Sequence, residues 1–352
     1  MSNEKTLGRL EDLPADYVQG LRDRNLMPLW PALRNALPHE RPVAATRPTI
    51  WHYADVRPQL MAAGSLAPIE KAERRVLVLC NPGLGIETLR ATASISIGMQ
   101  LILPGELAPN HRHTPSAIRF AVEGRGGYTV VNGEKLPMEK GDLILTPALN
   151  WHEHGHEGSD PVIWLDALDL PIITNIEASY SVEGQRHVIE DPYNTSNLRF
   201  ARGGVVPYEM LNRQRAPYPL LRFPWCDVKE TLDALSHRLP PGGFAHVAYV
   251  NPETGQECLP TLGFSALKLP VGQPVELLRQ SASMVLHVVS GEGLAVIDGH
   301  SLPFSEADTL AAPTHARITL SSSGTEPVYI FVVDDAPLQR KLGIHQVFNE
   351  RS

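Results

Sequence analysis

The chain is poor in cysteine and contains no long apolar run. Its three cysteines, Cys80, Cys226 and Cys258, are few and widely spaced over 352 residues. This usage excludes a disulfide framework and favours a reducing, cytoplasmic environment. No stretch approaches the roughly 18 apolar residues of a membrane-spanning helix, so we expect no membrane partner. The charged N-terminal residues lack an apolar core, which argues against a secretory signal.

A basic surface is also missing. Lys and Arg number 31 against 39 Asp and Glu, so the formal net charge is −8 and the sequence pI is about 6.0. This balance argues against nucleic acid as a partner. Proline and glycine are plentiful, at 31 and 27 residues. They are typical of many short strands joined by turns, and the length allows two domains of ordinary size.

Three histidines of the first half are spaced as metal ligands. His111 and His113 lie two residues apart, so a strand would present both on one face. His152 follows in a later strand-like run. Three neutral imidazoles on a rigid sheet leave a bound metal with open coordination positions. That donor set suits an Fe(II) ion that works with O2.

The spacing around these histidines resembles the two cupin motifs. The first motif has Gly, five residues and His-x-His, and the second has Gly, five residues, Pro and a later His. The matching positions are Gly105, His111, His113, Gly141, Pro147 and His152. Cupins usually add a Glu ligand after the first His pair, where this chain has Ala117 and Ile118. The sequence therefore predicts a three-histidine site.

The second half of the chain repeats the first. The run 289–293 mirrors 122–126, and Asp298-Gly299 mirrors the hairpin signal Asn132-Gly133, each about 167 residues later. At the positions equivalent to the three histidines the copy carries Leu278, Gln280 and Ile318. Aliphatic side chains cannot bind a metal, so we expect the second copy to be structural.

These patterns predict an all-β fold of two tandem cupin (jelly-roll) barrels. The predicted segments are an N-terminal helical arm over 1–70, the metal-binding barrel over 71–171, a linker over 172–245, the second barrel over 246–340 and a tail over 341–352. In the linker, Asp227 is expected to cap an amphipathic helix. Its apolar positions are Val228, Leu232, Leu235 and Leu239.

Two polar residues are expected to face the metal. Arg119 lies eight residues after His111, an even separation, so within one strand it would share the ligand face. A guanidinium there can clamp a carboxylate, although a surface arginine would fit the same pattern. His154 follows His152 by two residues and shares its face. It is a candidate to bond a substrate oxygen or to move a proton.

Further polar residues lie in apolar strands. Asp166 needs a partner if it is buried, and His154 or Arg75 can supply one. Gln100, one strand before the histidine pair, can donate to a bound oxygen or simply fill the barrel interior.

Longer runs make the chain resemble the gentisate 1,2-dioxygenase family, which includes salicylate, 5-nitrosalicylate and 1-hydroxy-2-naphthoate dioxygenases. They follow the family's order along most of the chain. The runs are Arg74–Val76, Gly98–Leu101, Pro104–Glu106, His111–Thr114, Arg119–Phe120, Trp151–His154, Leu165–Asp169, Asn251–Gly255 and Leu259–Leu262.

The resemblance implies an Fe(II) enzyme that inserts O2 between C1 and C2 of a 2-hydroxybenzoate, with gentisate as the first choice. The implied iron ligands are His111, His113 and His152, and the implied substrate neighbours are Arg119, Arg75, His154 and Asp166. It also implies a homotetramer to which the arm contributes contacts. Members often carry an aromatic residue two positions before the Gly of Gly-x-Gln. Ser96 stands there in this chain, and its small size would enlarge the pocket beside the ring.

Two other classes of function stay open at this point. A metal cupin of another class, such as an isomerase using Mn or Ni, would also use three histidines. Arg119 and the run Asn251–Gly255 argue against it. A non-enzymatic binding bicupin would carry degenerate ligands in both barrels, which the first barrel contradicts. Salicylate, 5-nitrosalicylate and 1-hydroxy-2-naphthoate remain alternative substrates.

Overall fold

Short antiparallel strands, several of them buried on both faces, form the framework of the fold. The computed structural model describes residues 9–72, 74–185, 189–240 and 243–348. The first eight residues of the predicted arm and the last four of the predicted tail lie outside this part. The chain divides into two compact units, Met1–Ala44 and Ala45–Ser352. No helix of the described residues is long and apolar enough to cross a membrane.

The helices are short and lie mostly before and between the strands. The α-helices are α1 (Ala15–Arg22), α2 (Leu29–Ala36), α3 (Tyr53–Leu66), α4 (Ile69–Ala72), α5 (Leu170–Asn175), α6 (Thr195–Arg199), α7 (Trp225–Ser236) and α8 (Ala336–Leu342). Single 3-10 turns cover Leu10–Asp12, Ile86–Thr88 and Tyr208–Asn212. The first unit contains α1 and α2, and its Met27, Leu29 and Trp30 are exposed.

The strands fall into two groups along the chain. The first group is β1 (Thr49–Trp51), β2 (Arg75–Val78), β3 (Ser96–Ile102), β4 (Leu107–His113), β5 (Ala117–Glu123), β6 (Gly127–Val131), β7 (Glu134–Met138), β8 (Leu143–Thr146), β9 (His152–His156), β10 (Val162–Leu168), β11 (Ser181–Glu183) and β12 (Arg222–Phe223). The second is β13 (Ala245–Ala248), β14 (Gly263–Leu269), β15 (Val275–Glu276), β16 (Met284–Ser290), β17 (Gly293–Ile297), β18 (His300–Phe304), β19 (Thr309–Ala312), β20 (Ile318–Ser322) and β21 (Val328–Asp334).

Each barrel is built from two facing sheets, which confirms the predicted all-β class of two tandem barrels. The first barrel has a six-stranded sheet in the order β12-β8-β5-β10-β3-β2 and a five-stranded sheet in the order β11-β4-β9-β6-β7. The second barrel has the order β1-β19-β16-β21-β14-β13 facing β15-β20-β17-β18. The outer faces of the two six-stranded sheets pack together, with Phe120 stacked on Phe331 at a centroid separation of 4.1 Å.

The hairpin signals are confirmed in both barrels. Asn132 and Asp298 adopt positive φ angles of 47°, and the glycines that follow them have φ of 90° and 81°. Such a pair of left-handed residues closes a two-residue hairpin whose twist matches its strands. The turns join β6 to β7 and β17 to β18, so the repeat seen in the sequence is also a repeat of structure.

The repeat extends beyond the barrels. Each barrel includes an edge strand from the segment that precedes the other barrel in the sequence. Strand β1 pairs with β19 of the second barrel, and β12 pairs with β8 of the first. In each barrel, one carboxylate accepts a backbone N–H from the residues that follow the added strand. Asp308 accepts the Tyr53 N–H at 2.7 Å, and Asp142 accepts the Trp225 N–H at 2.9 Å. The two barrels are therefore interlocked.

Three details of the predicted helical segments are wrong. The expected helical arm contains strand β1, because its Thr-Ile-Trp run has β-branched and aromatic side chains and finds an edge strand to pair with. The linker helix α7 begins at Trp225 after Pro224, so Asp227 lies in the first turn and does not cap it. Leu239 lies beyond its end, while Leu232 is fully buried.

Candidate metal centre

Strands β4 and β9 bring the three predicted histidines together. His111 and His113 alternate onto one face of β4, and His152 lies directly opposite His111 on β9. One ring nitrogen of each lies within 4.8 Å of the other two, and all three side chains are buried. In the described part of the chain this is the one group of three or more possible metal ligands.

Backbone carbonyls orient the three rings. The Nδ1 atoms contact carbonyl oxygens of residues close in sequence: His111 with Pro109 at 2.9 Å, His113 with Pro115 at 2.7 Å and His152 with Asn150 at 2.9 Å. A carbonyl only accepts, so each Nδ1 carries the hydrogen and each Nε2 keeps a lone pair. The Nε2 of His152 is buried and has no hydrogen-bond partner among the described residues.

The surroundings keep these imidazoles neutral. Burial lowers the pKa of His111 to about 3 and that of His113 to about 4, and it holds the pKa of His152 well below its usual range. The positive charge of Arg119 lowers all three pKa values further. Neutral imidazoles with converging lone pairs are the form that binds a metal, so the donor set fits a divalent metal ion.

Arg119 belongs to the sheet of the first barrel that does not carry the histidines. It lies on β5 and is almost fully buried, with its Nε 3.4 Å from Asp166 Oδ1 and its Nη1 bonded to Thr146. Arg119 does not share a strand with His111 as the even separation predicted, because a turn separates β4 from β5 and the two strands belong to different sheets. The lowering of the three histidine pKa values by its charge nevertheless supports its predicted position near them.

Asp166 has partners that the sequence did not suggest. Its Oδ1 accepts the indole N–H of Trp164 at 2.9 Å, and its counter-charge is Arg119, its direct neighbour in the β-ladder. Neither His154 nor Arg75 appears among its described bonds. Burial raises the pKa of Asp166 to about 6, while burial lowers that of Arg119 to about 10. Both groups are therefore ionised at neutral pH.

The adjacent arginines Arg74 and Arg75 point in opposite directions. Arg75 forms an ion pair with Glu106 and donates to the Gly64 carbonyl at 3.1 Å. Arg74 reaches the metal centre, with its Nη1 2.8 Å from His111 Nε2. A guanidinium only donates, so this contact also marks His111 Nε2 as an acceptor. The sequence singled out Arg75 and missed Arg74, because side-chain alternation can be counted only once the start of β2 is known.

His154 lies deeper in the barrel than the three metal-site histidines. Its Nδ1 is 2.9 Å from Thr129 Oγ1, and its ring centroid is 5.2 Å from that of Trp164. Burial, with a smaller contribution from Arg119, holds its pKa well below the usual range. Its Nε2 is buried with no partner in the described residues. His154 is thus a neutral imidazole with one nitrogen available to a ligand.

Gln100 and Ser96 lie on β3 of the sheet that carries Arg119. Gln100 pairs with Trp164 across the ladder, and its buried Nε2 has no partner in the described part of the chain. The Ser96 hydroxyl donates to the Leu89 carbonyl at 2.7 Å. The register therefore places the side chains of Gln100 and Ser96 on the same face of the sheet as that of Asp166. Ser96 contributes a small, buried side chain to this face.

Comparison with known proteins places the chain in a family. A cupin domain model matches residues 98–168. Gentisate 1,2-dioxygenase from Ralstonia sp is 50% identical over 347 residues, 98% of this chain and 97% of that protein. 5-Aminosalicylate 1,2-dioxygenase from Comamonas sp is 35% identical and covers 92% of this chain and 86% of its own length.

A solved structure agrees with these relatives. The salicylate 1,2-dioxygenase from Pseudoaminobacter salicylatoxidans, solved as adducts with gentisate, has a TM-score of 0.89 at 27% identity. The match covers 100% of this chain and 99% of that one. The chain therefore belongs to the gentisate 1,2-dioxygenase-like family of bicupin proteins, and it is a ring-cleaving oxidoreductase.

Proposed function

We propose that the protein is an Fe(II)-dependent dioxygenase that inserts O2 between C1 and C2 of a 2-hydroxybenzoate, with gentisate as its substrate. The observation that carries the proposal is the combination of three neutral, converging histidines with a buried arginine on the other sheet of the barrel, whose charge acts on all three. Neutral ligands preserve the charge of the metal, and the guanidinium adds a carboxylate anchor beside it.

His111, His113 and His152 are the proposed ligands of the iron. The Nε2 lone pairs and the second bond from each Nδ1 to a carbonyl fit a metal held with fixed ring orientation. When bound, Fe(II) supplies a binding site for the substrate oxygens and for O2, and a route for electrons between them. The second barrel is proposed to bind no metal and to support the first.

The remaining site residues bind and orient the substrate. Arg119 holds the carboxylate, and Asp166 keeps the guanidinium in place through its own charge. Arg74 adds a second positive charge beside His111, and its Nη1, 2.8 Å from Nε2, must release that nitrogen when the metal binds. His154 offers Nε2 to a ring hydroxyl, and Gln100 offers its amide to a bound oxygen. The buried Trp164 excludes water beside His154.

Gentisate is preferred to salicylate for a chemical reason and by similarity. A para-dihydroxy ring is richer in electrons than a monohydroxy ring, so it gives electron density to O2 more readily. The relative at 50% identity is a gentisate 1,2-dioxygenase. Ser96 leaves more room than an aromatic side chain would, so a ring with a further substituent is the second candidate.

The protein is proposed to act as a homotetramer in the cytoplasm. The exposed Met27, Leu29 and Trp30 of the first unit support a role for the arm in a homotetramer. The three cysteines are all free thiols, which supports a reducing cytoplasm as the site of action. Size-exclusion chromatography with light scattering tests the assembly, and a monomeric mass would contradict it.

The decisive experiment measures metal content and O2 uptake together. We expect His111→Ala to lose iron and ring cleavage in parallel, since one of three ligands is gone. His300→Ala, an exposed histidine of the second barrel, is the matched control and should retain both. Full ring cleavage by an iron-free His111→Ala variant would refute the proposal. Turnover with Mn(II) but without O2 uptake would indicate an isomerase instead.

A spectrophotometric screen of the Fe(II)-loaded protein identifies the substrate. Gentisate, salicylate, 5-aminosalicylate, 5-nitrosalicylate and 1-hydroxy-2-naphthoate should be compared by kcat/KM. We expect gentisate to give the highest value. Cleavage of catechols with none of these carboxylates consumed would show that Arg119 does not act as a carboxylate anchor.

A further inference from the structure

His154 is held differently from the three histidines of the metal centre. Each of those bonds through Nδ1 to a backbone carbonyl, which can only accept a hydrogen. The Nδ1 of His154 faces a hydroxyl instead, at 2.9 Å from Thr129 Oγ1. Because a hydroxyl can donate or accept, the other bond of Thr129 decides which nitrogen of His154 carries the hydrogen.

Met138 provides that other bond. Thr129 Oγ1 donates to Met138 Sδ over 3.6 Å. A thioether has no hydrogen to give and accepts only weakly. With the hydroxyl hydrogen on the sulfur, Thr129 makes two bonds, whereas the opposite arrangement would leave a buried Nε2–H of His154 with no acceptor among the described residues. The Thr129 oxygen is then left to accept from Nδ1, and Nε2 of His154 keeps a lone pair.

The strand register builds this arrangement into the barrel. Thr129 lies on β6 between His154 of β9 and Leu136 of β7, and Met138 follows Leu136 by two residues on the same face. Thr129 and His154 are fully buried, and Met138 is 2% exposed. Bulk water is therefore excluded as a competing partner for the hydroxyl. The Nε2 of His154 has no partner among the described residues, and its ring lies 5.9 Å from that of His152.

We propose that Thr129 and Met138 hold His154 in its Nδ1-protonated form, so that Nε2 accepts a hydrogen bond from a ring hydroxyl of the substrate. Thr129 is a positioning residue, because it acts through His154. The inference rests on the proposed function, since only a hydroxylated ring supplies the donor.

The first test reads the hydrogen position without any turnover. Histidine-ring 15N labelling of Zn(II)-loaded protein distinguishes protonated from bare nitrogens in solid-state NMR spectra, and loss of signals in His154→Gln assigns the residue. We expect a protonated Nδ1 in the wild type. Thr129→Val, which keeps the shape and removes the hydroxyl, should shift His154 towards the Nε2-protonated form. Thr129→Ser should retain the wild-type pattern. A wild-type His154 protonated on Nε2 overturns the proposal.

The second test separates positioning from a structural role by kinetics. In Fe(II)-loaded protein we expect Thr129→Val to lower kcat about tenfold with little change in KM, and Thr129→Ser to restore most of it. In a His154→Gln background the same Thr129→Val change should cost nothing further, because its effect passes through His154. A full additional loss in that background, or an unchanged kcat in the single variant, overturns the proposal.

A further variant tests the role of Met138. Met138→Leu keeps the bulk and removes the sulfur acceptor, so the Thr129 hydrogen is released to His154. We expect a several-fold lower kcat and a mixed histidine spectrum. A spectrum identical to wild type refutes the assigned direction of the hydroxyl. Absence of any ring cleavage by the wild type would instead refute the proposed function, and the spectra would still report on Thr129.

Discussion

Replacing Asp166 with asparagine tests how much the buried guanidinium of Arg119 depends on its carboxylate. The two side chains are 3% and 5% exposed, and Nε of Arg119 lies 3.4 Å from Asp166 Oδ1. Asparagine keeps the shape and can still accept the Trp164 N–H through its oxygen, a bond of 2.9 Å in the native protein. The substitution therefore removes the negative charge and little else.

The magnitude follows from the separation of the charges. At 3.4 Å and an effective dielectric constant near 20, the attraction is about 5 kcal/mol. Removing one partner also leaves the other charge buried without compensation, and such losses are typically about 3–5 kcal/mol. We expect the free energy of unfolding at pH 7.5 to fall by that amount. The wild type should also lose stability as the pH rises from about 4 to 6, because burial raises the pKa of Asp166 to about 6 and the folded state binds that proton more tightly than the unfolded chain, whereas the Asp166→Asn variant should not show this fall.

A double variant separates stability from catalysis. Replacing both partners, as Arg119→Met with Asp166→Leu, removes the charge pair together, so stability should return to within about 1 kcal/mol of wild type. Ring cleavage should be lost in both variants, because the carboxylate anchor is absent or misplaced. Urea unfolding followed by tryptophan fluorescence measures the first quantity, and O2 uptake measures the second. A free energy of unfolding for Asp166→Asn within about 0.5 kcal/mol of the wild-type value, the range typical of harmless surface substitutions, would refute the electrostatic reasoning.

Two further predictions concern residues outside the metal centre. Burial raises the pKa of Asp334 to about 6, so the folded state binds its proton more tightly than the unfolded chain and stability falls as pH rises from about 4 to 6. Asp334→Asn should abolish that fall and add about 1–3 kcal/mol at pH 7.5 in chemical denaturation. Gly141 has a φ of 88°, and a Cβ there would collide with the Trp225 ring. Gly141→Ala should therefore cost about 2–4 kcal/mol, and an unchanged midpoint of thermal unfolding would contradict this.

The grouping of the three histidines was predictable from the sequence because their placement is local. His111 and His113 share a face through the two-residue period of a strand, and His152 is positioned by the second motif. The hairpins at Asn132 and Asp298 were equally local, since two left-handed residues specify the turn. The repeat was visible because both copies retain these turns.

The neighbours of the site depended on pairing across the barrel, which no local pattern reports. Counting from His111 treated Arg119 as part of the same strand, whereas it belongs to the other sheet of the barrel. The same limit hid Arg74, and it hid Thr129 behind His154. Each contact joins residues far apart in sequence, so the register between strands decides it.

The sequence by itself determined the fold class, the duplication and the three histidines that could hold a metal, because strand period and turn chemistry are short-range properties. Only the tertiary structure decided what surrounds those histidines. It brought a buried ion pair, a second guanidinium and a hydroxyl-bound histidine around them from other strands. It also interlocked the two barrels through β1 and β12, since an edge strand accepts whichever segment the folded chain brings alongside it.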